Sequence, residues 1–125
     1  LSGPLLDRID LTAAVMPLQR GMDDPGERSA IVASRVRDAR ALASARFSDE
    51  GWSRNSGASG AWLRAATSRH AAAEVWRALE RGGISARGAD RSLRIAWTLA
   101  DLRGADGPTL DDVRQALALR TQGLP

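Results

Sequence analysis

Alanine dominates the apolar residues of this sequence and constrains the fold more than any other feature. Of the 54 apolar residues among 125, 23 are alanine, while one Phe and four Trp supply the bulky side chains. Alanine is the best helix former, a poor strand former, and small enough to let helices approach closely. The composition therefore predicts an all-α domain, a small helical bundle with a thin core. No cysteine is present, which excludes disulfides and thiolate metal sites.

The charge of the chain is carried entirely by arginine on the basic side. All 18 basic residues are Arg, and the formal net charge is +3. Because Lys, Tyr and Cys are absent, nothing titrates between the single His and the arginines, and the sequence pI of 11.1 partly reflects missing buffers. The high pI is therefore weak evidence for nucleic-acid binding. No signal peptide or apolar run of membrane-spanning length is found, so we expect a cytoplasmic protein with no membrane partner.

The first 17 residues differ in pattern from the rest. Ile9, Leu11, Ala13 and Val15 alternate with residues of the opposite face, and Pro17 ends the run. This alternation predicts a short, half-buried strand. A single strand has no partner in this chain, so we expect it to be the detached end of a sheet and residues 1–17 to be loosely held.

Periodic apolar residues predict four to five helices after a polar connector at 18–24. The first should begin at Asp24, with Pro25 and Glu27 in a capping arrangement, and run to about Arg46. A Ser- and Gly-rich loop at 48–60 and a short helix at about 61–67 follow. Three further helices should begin at the caps Ser68, Ser85 and Thr109.

The apolar faces of these helices indicate which residues form the core. The first helix presents an apolar stripe of six residues, namely Ile31, Val32, Val36, Ala39, Leu42 and Ala43. Trp76 and Trp97 are expected in the core, facing each other across two central helices. Trp52, in the middle of the polar loop, should either dock on the core or await a partner, and we expect it to matter much less.

Two arginine sites stand out among the polar residues. Arg87 lies in the first turn after the cap Ser85, where the helix dipole disfavours a cation, and Arg91 and Arg94 follow on the same face. Such a helix start suits an anion such as phosphate, although Arg87 could equally extend into water or pair with Asp90. Arg8 lies between Asp7 and Asp10. This spacing allows either a local ion pair with one of these carboxylates or a guanidinium that is held for contact with a partner.

Catalytic sets of the common kinds are absent from the sequence. The sequence has no Cys, which excludes a Cys–His pair, and His70 is its single histidine, which excludes a histidine metal cluster. A surface position suits His70 better than a catalytic one. The acidic pairs at 23–24 and 111–112 lie at predicted helix starts, where capping explains them. No residue set for a bound metal is evident.

Two blocks of sequence carry a resemblance to a known family. Residues 1–11, LSGPLLDRIDL, and residues 84–102, ISARGADRSLRIAWTLADL, together resemble the magnesium-chelatase-like AAA+ ATPases, and within them the competence-protein (ComM/YifB) branch. Asn55 and the closing helix at 113–120 agree with this pattern more weakly. The resemblance covers nearly the whole chain and places it in the C-terminal part of such a protein.

The resemblance implies a division into two regions and roles for Arg8 and Arg87, which Arg91 joins because of its place on the same helix face as Arg87. Residues 1–17 would be the tail of the ATPase core, ending in its last strand, and residues 18–125 the helical lid. Arg8 matches the arginine finger, which acts in trans on the neighbouring subunit's nucleotide. Arg87 matches the sensor-2 arginine, which reaches the phosphates of its own subunit, and Arg91 would join it in nucleotide binding.

The same resemblance implies cofactors and partners that belong to a longer protein. ATP and Mg²⁺ would be bound by the N-terminal ATPase core of the same protein, in a homo-oligomeric ring, expected to be a hexamer, that moves DNA during competence and recombination. The chain itself has no phosphate-binding loop and no Lys, so it holds no complete active site.

Two alternatives of other classes stay open on the sequence. One is a stand-alone DNA-binding module that uses Arg28, Arg35, Arg40 and Arg54. The other is a protein-interaction module anchored by Trp52 and Trp62.

Overall fold

The fold is built from helices, as the alanine content predicts. A computed structural model describes residues 3–17 and 25–121. Within these residues there are no strands, and the all-α prediction is confirmed. The helices are α1 (Gly3–Leu6), α2 (Ser29–Arg46), α3 (Gly60–Ala66), α4 (Arg69–Glu80), α5 (Ala86–Leu102) and α6 (Leu110–Thr121), with a 3-10 turn at Asn55–Gly57.

The predicted helix starts are confirmed at three hydroxyl caps. The hydroxyl of Ser68 accepts a hydrogen bond from the amide of Ala71 at 3.2 Å, and that of Ser85 accepts from Gly88 at 3.0 Å. Thr109 and Asp112 cap each other reciprocally at the start of α6. These bonds satisfy backbone donors that the first turn leaves unpaired.

Asp112 joins this cap to an ion pair with Arg103. Burial acts to raise the pKa of Asp112, but the hydrogen bonds from Arg103 and Thr109 outweigh it, and the pKa is lowered overall. The ionised carboxylate is therefore the form that the folded helix start favours.

Helix α5 lies at the centre of the bundle and packs against α6, α4 and the C-terminal half of α2. Its buried face carries Leu93, Ala96 and Trp97, which meet Val75 of α4 and Val113 of α6 in one apolar cluster. This burial fixes the direction of α5, and hence the place of its N-terminus, where the arginine-rich site lies.

The tryptophans are arranged differently from the sequence prediction. Trp97 is buried, as expected, but its ring meets Trp62 at 5.1 Å between centroids, and Trp76 is only half-buried at the edge of the core. Trp52 docks on the core edge-on to Phe47 at 5.8 Å. The expectation that Trp52 matters little is therefore at odds with its packing.

A buried polar network holds the 48–60 loop against the bundle. The carboxylate of Asp101, with 1% of its side chain exposed, accepts hydrogen bonds from Arg46 and from the Asn55 amide, the latter at 2.7 Å. Asn55 also donates to the hydroxyl of Thr98 at 3.1 Å. The Arg46 guanidinium lies 4.4 Å from the Trp97 ring centroid, so the network joins the aromatic core.

The N-terminal half of α2 departs from the prediction. The helix begins at Ser29 instead of near Pro25, and Glu27 accepts hydrogen bonds from Arg35 rather than capping the first turn. Asp24, the predicted cap, lies outside the described residues. Of the predicted apolar stripe only Ala39 and Ala43 are buried, because α2 packs on α5 through its C-terminal half, and the larger members Ile31, Val32, Val36 and Leu42 are exposed.

The predicted strand at 9–15 is not formed in the described structure. Residues 9–17 have no regular secondary structure, and Leu11 and Val15, which were expected to face a core, are exposed. A strand needs a neighbouring strand to satisfy its backbone, and the described residues provide none. The amide of Thr12 instead donates to the carbonyl of Leu119 in α6, at 2.7 Å.

A candidate phosphate-facing arginine site at the start of helix α5

The N-terminus of α5 is the centre of the candidate site. Ser85 caps it, and the Ser85 hydroxyl also donates to the Asp7 carboxylate at 3.3 Å. The first turn contains Arg87 and no acidic residue. Free backbone amides and a helix dipole at this end favour an anion, and a cationic side chain in the first turn adds to that attraction.

The three arginines of this face have different surroundings. Arg87 is exposed, and its side chain has no hydrogen bond or ion pair within the described residues. Arg94 donates twice to the carbonyl of Ala58, at 3.0 and 2.8 Å, and so anchors the loop. The alternative pairing of Arg87 with Asp90 is not found, since Asp90 pairs with Arg64 at 3.0 Å.

Arg91 faces the N-terminal segment of the chain. It donates to the carbonyl of Asp7 at 2.7 Å and pairs with the carboxylate of Asp10 at 3.0 Å. Only 18% of its side chain is exposed. Its predicted contact with nucleotide stays a prediction, and in this structure its guanidinium is engaged by protein groups.

Arg8 lies directly after α1 and is exposed. Its backbone amide closes a turn with the carbonyl of Leu5 at 3.0 Å, while its guanidinium has no partner in the described part of the chain. The local ion pair that the spacing allowed is not formed, because Asp7 and Asp10 pair with arginines of α6 and α5 instead. The backbone of Arg8 is thus held while its charge is free.

Arg120, near the end of α6, completes the site and was missed as a functional candidate. It donates to the carbonyl of Ile9 at 3.4 Å and approaches the Asp7 carboxylate at 3.9 Å. Burial lowers the pKa of Arg120, the nearby Arg91 charge lowers it further, and Asp7 and Asp10 act in the opposite direction. Arg120 closes the helix at 113–120, which agreed only weakly with the family pattern, and its contacts with residues more than 100 positions away give no local sequence signal.

Residues 7–12 are therefore fastened to the helical bundle and are not loosely held as predicted. Their contacts run to Ser85 and Arg91 of the α5 end and to Leu119 and Arg120 of the α6 end. The structure brings the segment carrying Arg8 to the same end of the bundle as Arg87.

The chain belongs to a defined family. Residues 26–120 match the family described as magnesium chelatase, subunit ChlI C-terminal. With the all-helical fold, this identifies the chain as a helical lid domain of the magnesium-chelatase-like AAA+ type.

The curated relatives extend well beyond the region matched here. An uncharacterized protein of Mycobacterium bovis and two of Mycobacterium tuberculosis are each 42% identical over 127 residues. The match covers 98% of this chain and 25% of each relative, so the chain spans about a quarter of their length. No solved structure was found to match the chain. None of the helices in residues 3–17 and 25–121 is long and apolar enough to cross a membrane.

Proposed function

We propose that the chain is the lid of a ring-forming ATPase of the competence-protein (ComM/YifB) type, which acts on DNA and contributes two arginines to ATP hydrolysis. The observation that carries this proposal is the pair of exposed, unpaired guanidinium groups, Arg8 and Arg87, at one end of the described bundle. Their neighbours are held by caps and ion pairs, whereas these two charges are available to a ligand.

Arg87 is assigned the sensor-2 role. It lies in the first turn of a helix capped by Ser85, where helix amides and arginine charge attract the same anion. Phosphoryl transfer needs positive charge at the phosphate oxygens where negative charge develops, and a well-placed arginine supplies it. The residues of the site thus fit the phosphates of ATP, although the described residues hold no cluster of acidic or histidine side chains for Mg²⁺.

Arg8 is assigned the arginine-finger role. Its backbone is held by the turn after α1 and by contacts of Asp7 and Ile9, so the guanidinium extends from a fixed base. Such a base lowers the entropy lost when the side chain meets a phosphate. In the ring, which we expect to be a hexamer, this phosphate belongs to the nucleotide of the neighbouring subunit.

Mixed rings of the full-length protein test the two assignments. Arg87→Ala should impair hydrolysis in its own subunit, whereas Arg8→Ala should spare nucleotide binding and slow turnover. Subunits that cannot bind ATP but retain Arg8 should restore hydrolysis to Arg8→Ala subunits and leave Arg87→Ala subunits inactive. Arg114→Gln, an exposed change on α6, serves as a control for assembly.

The outcomes of this experiment separate the assignments. If mixed rings form and Arg8→Ala subunits are not rescued, Arg8 does not act in trans. If Arg87→Ala subunits are rescued as well, Arg87 also works across the interface, which the shared end of the bundle allows. The isolated chain should show no ATPase activity, because no phosphate-binding loop occurs in its sequence.

A stand-alone DNA-binding module is the second candidate, favoured by the exposed side chains of Arg28, Arg40 and Arg54. Arg35, the fourth arginine of that set, is paired with Glu27. A salt titration of DNA binding by the chain distinguishes the two functions. The module should bind DNA alone with a steep dependence on salt, whereas a lid should bind weakly.

A further inference from the structure

We propose that Arg91 and Arg120 are positioning residues that fix the Arg8-bearing segment to the lid, so that Arg8 moves with the lid as one body. This inference rests on the proposed role of Arg8 as the arginine finger. It assigns Arg91 to holding the finger, in place of the predicted contact with nucleotide, and gives a role to Arg120.

The contacts of the two arginines bracket Arg8 on both sides. Before it in sequence, Arg91 donates to the carbonyl of Asp7 at 2.7 Å, and Arg120 lies 3.9 Å from the Asp7 carboxylate. After it, Arg91 reaches the Asp10 carboxylate at 3.0 Å, and Arg120 donates to the carbonyl of Ile9 at 3.4 Å. Each arginine thus spans the finger residue without touching it.

The character of these contacts distinguishes them from ordinary surface ion pairs. The side chains of Arg91 and Arg120 are only 18% and 11% exposed, but their partners Asp10 and Asp7 are 63% and 38% exposed, so solvent weakens the charge pairs themselves. Both donate to main-chain carbonyls, which fixes backbone position as well as charge. The planar guanidinium fork allows one side chain to hold two acceptors at once, which a lysine could not do as rigidly.

The contacts of Arg91 connect the proposed sensor-2 residue Arg87 with the proposed arginine finger Arg8. Arg87 and Arg91 are four residues apart on α5 and therefore lie on the same helix face, about one turn apart. A movement of α5 that accompanies nucleotide contact at Arg87 is carried through Arg91 to the residues that flank Arg8. The occupied state of one subunit is thereby connected to the finger it offers its neighbour.

Turnover by full-length rings tests the inference with Arg91→Gln and Arg120→Gln. Displacing a catalytic group by about 1 Å is enough to slow a reaction about 100-fold, so we expect kcat to fall by about 10- to 100-fold with KM nearly unchanged. Arg114→Gln removes the same charge from α6 at a site that contacts Glu74 and should leave turnover unchanged.

Mixing supplies the readout that a merely structural role would not produce. Subunits that cannot bind ATP, but retain Arg8, Arg91 and Arg120, should restore hydrolysis to Arg91→Gln and Arg120→Gln subunits, as is expected for Arg8→Ala. A general loss of lid stability would impair the subunit's own site and would not be rescued. Weakened nucleotide binding by Arg91→Gln would return Arg91 to its predicted nucleotide role and overturn the inference.

The parallel Arg8→Ala arm separates the failure of this inference from the failure of the proposed function. If Arg8→Ala is rescued and the two lid variants are not, the positioning role is refuted while the finger survives. If Arg8→Ala is not rescued, both are refuted. Should Arg120→Gln fail to fold, Asp10→Asn weakens the hold on the same segment through its contact with Arg91, at a carboxylate that is 63% exposed. It should lower kcat about twofold or more and be rescued by mixing; unchanged turnover would contradict the positioning role.

Discussion

The buried pair Arg46–Asp101 offers the clearest test of how this thin core is held together. Asp101 is the acceptor for Arg46 and for the Asn55 amide, and the side chains of the pair are only 16% and 1% exposed. We expect Asp101→Ala to destabilise the domain severely, because it leaves a guanidinium and an amide without their acceptor.

The expected loss in the free energy of unfolding follows from the burial of each group. Removing one member of a buried ion pair costs about 3–5 kcal/mol, since the remaining charge is left uncompensated. The double change Arg46→Met with Asp101→Leu removes both charges and keeps apolar volume, so it should cost less than Asp101→Ala alone. About 1–3 kcal/mol should remain, because Asn55 loses both the Asp101 acceptor of its amide and the Arg46 donor to its side-chain oxygen, while it keeps Thr98.

Urea unfolding followed by tryptophan fluorescence measures these effects, since Trp97 lies against Arg46. The midpoint should fall while the slope stays constant, which marks a change in stability and not in the unfolded state. Asp106→Ala, an exposed change just beyond α5, is the matched control and should shift stability by less than about 0.5 kcal/mol. A cost below about 1 kcal/mol for Asp101→Ala would refute the reasoning. So would a double variant as costly as the sum of Arg46→Met and Asp101→Leu, each measured alone.

Two further predictions concern the aromatic core and the cap of α6. Trp97→Phe removes a 3.0 Å hydrogen bond to the Thr67 hydroxyl and should lower the free energy of unfolding by about 1–3 kcal/mol. Trp52→Phe removes a buried indole N–H that has no partner in the described residues, so it should be nearly neutral or stabilising. Equal losses of stability in thermal unfolding of the two variants would contradict this. Asp112→Asn should cost about 1 kcal/mol at pH 7. Because the folded-state pKa of Asp112 is lowered, its contribution exists above the unfolded value of 3.8 and is lost as the pH falls through the folded value. Asp111→Asn, 90% exposed in the same turn, should show little of this pH dependence, and a similar loss in both variants over a pH series would contradict the assignment.

Local signals in the sequence were enough to predict most of the fold. The caps Ser68, Ser85 and Thr109 act through hydrogen bonds within a few residues, and their helices begin where they predict. The start of α2 was predicted less well, because Glu27 pairs with Arg35, eight residues along the chain, and does not cap the helix. Long-range packing decided the rest, including the exposure of Ile31, which no periodicity could show.

The candidate site was predicted only in part, because sequence patterns report local contacts and not contacts between distant residues. Arg87 was found from its place after a cap, which is a local property. The contacts of Arg91 with Asp7, and of Arg120 with Ile9, join residues 84 and 111 positions apart, and no spacing rule reaches across such distances. Trp52 illustrates the same limit, since a polar loop around it concealed its docking on Phe47.

The most direct test of the central claim is the structure of the full-length protein assembled with a non-hydrolysable ATP analogue. The guanidinium of Arg8 should then lie within about 3 Å of the terminal phosphate held by the neighbouring subunit, and Arg87 should reach the phosphates of its own subunit. A ring in which Arg8 faces solvent, far from every bound nucleotide, would contradict the account.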